Sequence, residues 1–215
     1  MLTTSQIERL LRGYSLAAAP ELTTRIATYI ELLIKWNRKI ALTTVTDPEE
    51  IVKFHFGESL FATSRYNFEN SRLADVGTGG GFPGLPLALA VPTLSVTLME
   101  SNLKKCAFLA EILRELQIQN ASIFSGRMEF FSAGPVPFNF VAARAFGQFD
   151  DLRAWAKAHL SDRGQLILWL GEQDAEQIST KALWSWNSPD LIPGSRRRYI
   201  LAGSPGKTGE SECST

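Results

Sequence analysis

Residues that hold metals or disulfides are scarce in this chain. It has two cysteines in 215 residues, Cys106 and Cys213, far apart and without zinc or redox spacing. They read as free thiols in a reducing cytosol. It has two histidines, His55 and His159, and no nucleophile–base constellation around either. It has no excess of either charge: Lys and Arg total 22, and so do Asp and Glu. A whole-molecule field therefore cannot gather nucleic acid, and any polyanion site must come from local segregation of Lys and Arg. It has no run near the ~18 apolar residues of a membrane span. Met1 to Leu10 is polar and has no signal-type apolar stretch. The expectation is a cytoplasmic protein with no membrane partner. No internal repeat or low-complexity tract is present.

Apolar residues are plentiful at 45 %, enough for one medium domain with a small extension. Residues 3–66 read as helical. Thr3 or Thr4 caps a first short helix through Arg12, and Pro20 opens a second with apolar residues at spacings of three or four. Asp47-Pro48-Glu49-Glu50 starts a third, with an N-cap, a proline and then acids at the positive dipole end. From about residue 71 short apolar runs alternate with helical ones. Strands are expected at 73–76, 94–99, 121–124, 138–143 and 165–170, and helices at 84–91, 102–117 and 149–160. That alternation implies an α/β fold with a parallel sheet and crossover helices. Segments 182–187 and 196–202 read as an antiparallel hairpin at the sheet edge, with turns at Ser188-Pro189 and Pro193-Gly194. The division expected is 1–68, an N-terminal helical cap; 69–203, the α/β domain; and 204–215, a loose tail.

The run 73–84, Leu-Ala-Asp-Val-Gly-Thr-Gly-Gly-Gly-Phe-Pro-Gly, is the most informative. It reads as a strand end, a glycine loop and a helix start. Glycine admits positive φ and close approach of a ligand to the backbone, and the helix start adds N–H donors. Asp75, directly ahead of Gly77, Gly79 and Gly81, suits a ligand with an ammonium and a ribose, as S-adenosylmethionine has. Two other readings stay open. Gly79, Gly81 and Gly84 also satisfy a G-x-G-x-x-G dinucleotide pattern, and the loop could be a turn without a ligand. Gly206-Lys207-Thr208 is a poor phosphate loop, because Leu201 stands where its first glycine belongs.

Glu100 ends the second strand, where an acid can accept from both ribose hydroxyls; it could equally serve the following helix start. Lys104 and Lys105 open that helix at its unfavourable dipole end, as a solvated face or for an anionic partner. Ser125-Gly126-Arg127-Met128-Glu129 ends the third strand, where Met128 and Glu129 could receive an adenine or Met128, Phe130 and Phe131 could be core. Arg144 follows a buried apolar strand and needs a partner: a substrate phosphate, a guanine O6 or Asp75. No Asn/Asp-Pro-Pro-Tyr/Phe stretch stands there, which argues against exocyclic amine methylation. His55, among Phe54, Phe56 and Leu60, could touch a substrate, cover the glycine loop or be a hydrogen-bonded packing residue. His159 makes a dipole contact at a helix C-terminus. In Arg196-Arg197-Arg198, an edge strand would place Arg196 and Arg198 on one face, for phosphate contact or for edge protection.

Asp75–Pro86 reads DVGTGGGFPGLP. With Trp36–Thr43 (WNRKIALT), His55–Leu60 (HFGESL) and Arg144-Ala145, it resembles the ribosomal RNA small subunit methyltransferase G family, also called glucose-inhibited division protein B, over roughly 30–170. The resemblance implies a Rossmann-like class I methyltransferase sheet. It implies methylation of guanine N7 in bacterial 16S ribosomal RNA with S-adenosylmethionine, on naked RNA or the small ribosomal subunit. The cofactor set then expected is Asp75, Gly77, Thr78, Gly79, Gly81, Phe82, Glu100, Met128, Glu129 and Arg144, with Arg144 at the reaction centre. Lys104, Lys105, Arg127, Arg196 and Arg198 are the expected RNA contacts. No DNA is expected, and a monomer is. Ala41 stands where the family pattern has asparagine, Glu58 where it has aspartate, and Lys207 lies in only a remnant of a basic C-terminal motif.

Overall fold

A computed structural model describes residues 2–132, 134–180 and 183–206. Cys213, Lys207 and most of the tail expected at 204–215 lie outside the described residues.

The N-terminal helices form where their caps are written. In α1 (Thr4–Arg12) the Thr3 side chain accepts from Gln6 N while the Gln6 side chain accepts from Thr3 N, a reciprocal cap. Pro20 is the first residue of α2 (Pro20–Asn37). Asp47 accepts from Glu50 N to start α3 (Pro48–Ile51). The chain stays helical as a π turn (Val52–Gly57) that carries His55, then α4 (Glu58–Phe61).

The strands are β1 (Arg72–Val76), β2 (Ser95–Glu100), β3 (Ala121–Ser125), β4 (Phe138–Arg144) and β5 (Leu160–Gly171), parallel, then β6 (Trp184–Trp186), β7 (Asp190–Leu191) and β8 (Arg198–Pro205). The order is β3-β2-β1-β4-β5-β8-β6, with β7 also on β8. The order reverses between β1 and β4, and the crevice outside their carboxyl ends is where a doubly wound sheet binds ligands.

Side chains alternate across the sheet, and each face has its own helices. Leu73, Val96, Leu98, Phe140, Ala142 and Ile167 join one apolar cluster with α1, α2, α5 (Gly84–Ala90) and α6 (Leu103–Glu115). Ala74, Val76, Met99, Val141, Ala143, Leu166 and Leu168 face α7 (Phe149–His159) and α8 (Glu172–Ser179). The N-terminal helices thus continue the core.

Two expectations are corrected. The antiparallel C-terminal pairing is present, but β8 is not at the edge: it lies between β5 on one side and β6 and β7 on the other. Gly203 permits this, since a Cβ there would lie 2.3 Å from the Trp186 ring of β6. Edge protection therefore does not explain the arginine run. Strand alternation does not apply to it either, because β8 begins only at Arg198. Arg196 and Arg197 lie in the preceding turn, where Ser195 Oγ accepts from Arg197 N and Arg198 N. Secondly, α8 was not expected; its polar sequence, EQDAEQIS, buries only Ala175 and Ile178. No helix among the described residues is long and apolar enough to cross a membrane.

Candidate active site

The site lies at the carboxyl ends of β1, β2 and β4 and is walled by the N-terminal helices. It comprises a cleft of about 1180 Å³ and a side cavity of about 150 Å³. Gly77 and Phe146 line both.

The loop after β1 is folded on Asp75. The carboxylate is fully buried; Oδ2 accepts from Thr78 Oγ1 at 2.6 Å and from Gly84 N at 2.8 Å. Gly77 takes φ +70°, and a Cβ on it would meet the Phe146 ring at 3.2 Å. Gly81 takes φ +90°, and a Cβ there would sit 2.2 Å from the Tyr29 hydroxyl. That hydroxyl donates to Gly80 O at 2.7 Å, so α2 grips the loop directly. Phe82 stacks between Tyr29, at 5.5 Å, and His55, at 4.7 Å, and meets Phe56 edge-on. Each such pair adds ~0.5–1.5 kcal/mol beyond area burial. The phenylalanine that extends the glycine run is therefore the grip of the helices on the loop.

Two residues expected in contact with a ligand are placed otherwise. Asp75 and Gly81 line neither cavity: Asp75 holds the loop from beneath, and Gly81 makes room for Tyr29. Gly77, Thr78, Gly79 and Phe82 do line the cleft. Glu100, Met128 and Glu129 line the side cavity, with Arg127 beside them. Glu100 Oε2 accepts from Gly79 N at 3.0 Å and Oε1 from Asn102 N at 2.8 Å. Each oxygen keeps a lone pair, which suits vicinal hydroxyls. Met128 is buried while Phe130 is exposed, so the core reading fails for Phe130.

Arg144 ends β4 and is directed to the helices rather than to Asp75. Nη1 donates to Phe54 O at 2.8 Å and Nη2 to His55 Nδ1; Glu58 Oε2 lies 3.9 Å from Nη1. The next residue, Ala145, lines the cleft and takes φ +53°, a strained conformation for a residue with a Cβ. His55 Nε2 bonds Thr43 Oγ1 at 2.7 Å. Thr43 sits in a loop fixed by Asn37, whose Oδ1 accepts from Leu42 N and Thr43 N. Glu58, 3 % exposed, accepts on both oxygens from Arg198 Nη1, at 2.8 and 2.9 Å, and Trp169 Nε1 donates to its carbonyl. The Arg198 guanidinium lies over the Phe54 ring at 5.0 Å.

Burial sets the charge states. It pushes the Asp75 carboxyl up to about 6, against its bonds from Thr78 and Gly84. It raises the Glu58 carboxyl, against Arg144 and Arg198. Burial, then Arg144 and Arg198, push the His55 imidazole down to about 3. Asp75 and His55 therefore act oppositely in acid. A carboxyl held above its unfolded value favours the fold at low pH, and this contribution is lost as pH rises from about 4 to about 6. An imidazole held below its unfolded value contributes above about 6.5, and this is lost as pH falls. Asp75→Asn removes the first effect alone. In urea unfolding of the ligand-free protein, it should lose about 2–3 kcal/mol more than wild type between about pH 7 and pH 4. Equal losses would show that Asp75 carries no raised pKa.

Among the described residues, four cations line the cleft, Lys105, Arg144, Arg197 and Arg198, against the acids Glu58 and Asp174. Arg196 and Lys104, expected at this rim, line neither cavity, while Arg197 does. Asn102 accepts from Lys104 N and Lys105 N, which relieves the helix start those lysines occupy. Sequence reasoning missed Phe146 and Trp169, which read as strand-end apolar residues, and Asn37, Thr43 and Glu58, which stood in motifs without an assigned task.

The residues fit a sulfonium nucleoside. Glu100 offers acceptors beside the side cavity, and the glycine loop joins that cavity to the cleft. Among solved structures, the O-methyltransferase TomG from Streptomyces achromogenes, in complex with SAM, aligns with TM-score 0.59 at 14 % identity over 85 % of this chain and 90 % of that one. The glycopeptide N-methyltransferase MtfA aligns with TM-score 0.60 at 13 % identity over 70 % and 90 %. These likenesses show a class I methyltransferase fold. The ribosomal RNA small subunit methyltransferase G of Pseudomonas fluorescens (strain Pf0-1) is 42 % identical over 62 % of this chain and 61 % of that protein. That of Pseudomonas putida (strain GB-1) is 37 % identical over 72 % and 71 %. The Salmonella agona (strain SL483) protein of the same name is 31 % identical over 82 % and 84 %. The family described as GidB, rRNA small subunit methyltransferase G, matches residues 23–187, and the chain belongs to it.

Proposed function

We propose that this protein transfers a methyl group from S-adenosylmethionine to N7 of a guanine in bacterial 16S ribosomal RNA. The donor supplies an electrophilic methyl on a sulfonium. Glu100 and the side cavity at Met128 and Glu129 hold its nucleoside, and the backbone at Gly77 and Gly79 holds the adjoining part. Residues 1–68 act as a cap that closes the loop side of the cleft.

The observation that carries this reading is that both titratable groups beside Arg144 are committed. His55 Nδ1 accepts from Arg144, and both oxygens of Glu58 are paired with Arg198. With these partners neither is a free base. Guanine N7 has a free lone pair and no proton to lose, so it needs no base. Positioning can supply ~7–11 kcal/mol of such a barrier. Arg144, pinned at both terminal nitrogens, is a fixed donor for guanine O6 or a flanking phosphate.

Labelled donor offered to naked small-subunit RNA, assembled subunits and free nucleosides tests the reading. Transfer to either RNA arm and not to nucleosides is expected. Transfer only to a small molecule or a protein would overturn it. RNA is drawn in by Lys105 and Arg197, with Arg127 at the side cavity. Lys105→Gln with Arg197→Gln should lower the slope of log affinity against log salt by about 1.4, at ~0.7 per phosphate of a single strand. An unchanged slope would remove both from the interface.

A further inference from the structure

The imidazole of His55 is fixed on every side, and its tautomer follows from its partners. An arginine has only donors, so the Nδ1 that faces Arg144 Nη2 must be the bare, accepting nitrogen. In a neutral ring Nε2 then carries the proton, and it donates to Thr43 Oγ1. Thr43 Oγ1 also accepts from Val45 N at 3.0 Å, which uses its second lone pair. Asn37 clamps the segment through Leu42 N, Thr43 N and Thr43 O. The ring face lies on Phe82 of the glycine loop.

The same bonds constrain Arg144. Of its five N–H donors, one goes to Phe54 O and one to His55 Nδ1. With both terminal nitrogens anchored on successive residues of the π turn, the guanidinium plane cannot rotate. The remaining donors, Nε–H and one on each terminal nitrogen, are held in a residue that lines the cleft.

We infer that His55 is a positioning residue for methyl transfer: neutral and protonated on Nε2, it accepts from Arg144 on Nδ1, is braced by Thr43, and so fixes the guanidinium at the reaction centre. The inference rests on the proposed methyl-transfer reading for its rate effect, and on the hydrogen-bond geometry alone for its tautomer. The charged groups around the ring are Arg144 of β4, Arg198 of β8 and Glu58 of the adjoining helical turn. The two arginines disfavour a second positive charge, and the imidazole stays neutral through the working pH range. Two functions first seen apart, packing against the loop and contact with the substrate side, are thereby joined in one side chain.

Three variants and one spectrum test it. His55→Phe keeps the stacking on Phe82 but offers Arg144 no acceptor; the single-turnover rate should fall about 100-fold. Its calorimetric affinity for S-adenosylhomocysteine should stay within about threefold of wild type, since no side-cavity group is touched. His55→Asn places a carbonyl oxygen near the Nδ1 position and should recover to within about fivefold of wild type. His55→Gln places its amide toward Thr43 instead and should stay as slow as His55→Phe, for which it substitutes if that variant does not fold. The ¹⁵N spectrum of ring-labelled wild type should show an Nε2–H imidazole that does not titrate down to about pH 5. A phenylalanine or glutamine variant within threefold of wild type overturns the inference, as does an asparagine variant as slow as they are. So does an Nδ1–H ring or one that titrates near its ordinary value. If wild type itself transfers no methyl to RNA, the proposed function fails and the spectrum alone judges the tautomer.

Discussion

Arg144→Lys should lower the single-turnover rate of methyl transfer to small-subunit RNA by about 100-fold, and Arg144→Ala by at least as much. The reason is geometric. The guanidinium is a planar fork whose two terminal nitrogens reach Phe54 O and His55 Nδ1 at once, and it still has donors to spare. An ammonium has no plane to orient and cannot satisfy both anchors while serving the cleft. Its charge near Glu58 survives, so a purely electrostatic role would leave Arg144→Lys close to wild type. Arg144 lines the cleft and not the side cavity, so affinity for S-adenosylhomocysteine should change less than the rate, by under about fivefold. A lysine variant within threefold of the wild-type rate would reduce Arg144 to its charge, and an alanine variant within threefold would remove it from the chemistry. An equal loss in rate and donor affinity would place it in cofactor binding alone.

Arg198→Ala should destabilise the fold by about 3 kcal/mol near neutral pH, an unusually large cost for a residue 45 % exposed in its side chain. The cost lies in what it leaves behind. Glu58 is buried, and both its oxygens are bonded by Arg198; without it, only Arg144 at 3.9 Å faces the charge. Removing one partner of a buried pair strands the other. The sign with pH follows. Burial already raises the Glu58 carboxyl, and loss of Arg198 raises it further. A carboxyl raised in the fold favours folding at low pH, and that contribution is lost as pH rises through its folded value. The destabilisation should therefore shrink as pH falls and Glu58 takes a proton, and grow as pH rises. Glu58→Gln in the same chain should remove most of that pH dependence. A surface phosphate contact would behave otherwise: Arg198→Ala would then cost under ~0.5 kcal/mol at any pH and change only RNA affinity. Chemical unfolding of the four proteins of this cycle, at acid and neutral pH, decides between the two.

The sheet was legible because buried strands announce themselves. Runs such as Phe140–Ala143 and Leu166–Leu170 are apolar on both faces, as a sheet covered by helices on each side requires, and turn residues bound them. Caps at Thr3 and Asp47 fixed helix starts for the same local reason. The register of the C-terminal strands was not legible. Whether β8 lies at an edge depends on whether β6 reaches it past Gly203, a contact across 17 residues that no local pattern records. The helix α8 was missed because a polar segment with two buried residues has almost no periodic signal.

The candidate site divides in the same way. Gly77, Gly79 and Glu100 could be read from spacing, since the loop chemistry is local. Asp75 could be found but not placed, because a carboxylate beneath a loop and one facing a ligand have the same sequence. The Arg144, His55 and Glu58 network was invisible as a unit. Its members stand 89 residues apart at their widest (144 − 55), and Arg198 another 54 beyond (198 − 144). Glu58 in particular is the buried counterion of two arginines and reads in sequence as one more helical acid.

The most direct measurement is mass spectrometry of nucleosides from small-subunit RNA, isolated from cells that lack this methylation, after incubation with the protein and S-adenosylmethionine. The account predicts 7-methylguanosine rising with protein to about one per RNA, and none with Arg144→Ala. Methylation at another guanine position, on another base, or none on RNA that accepts a methyl from a relative of the same family, would contradict it.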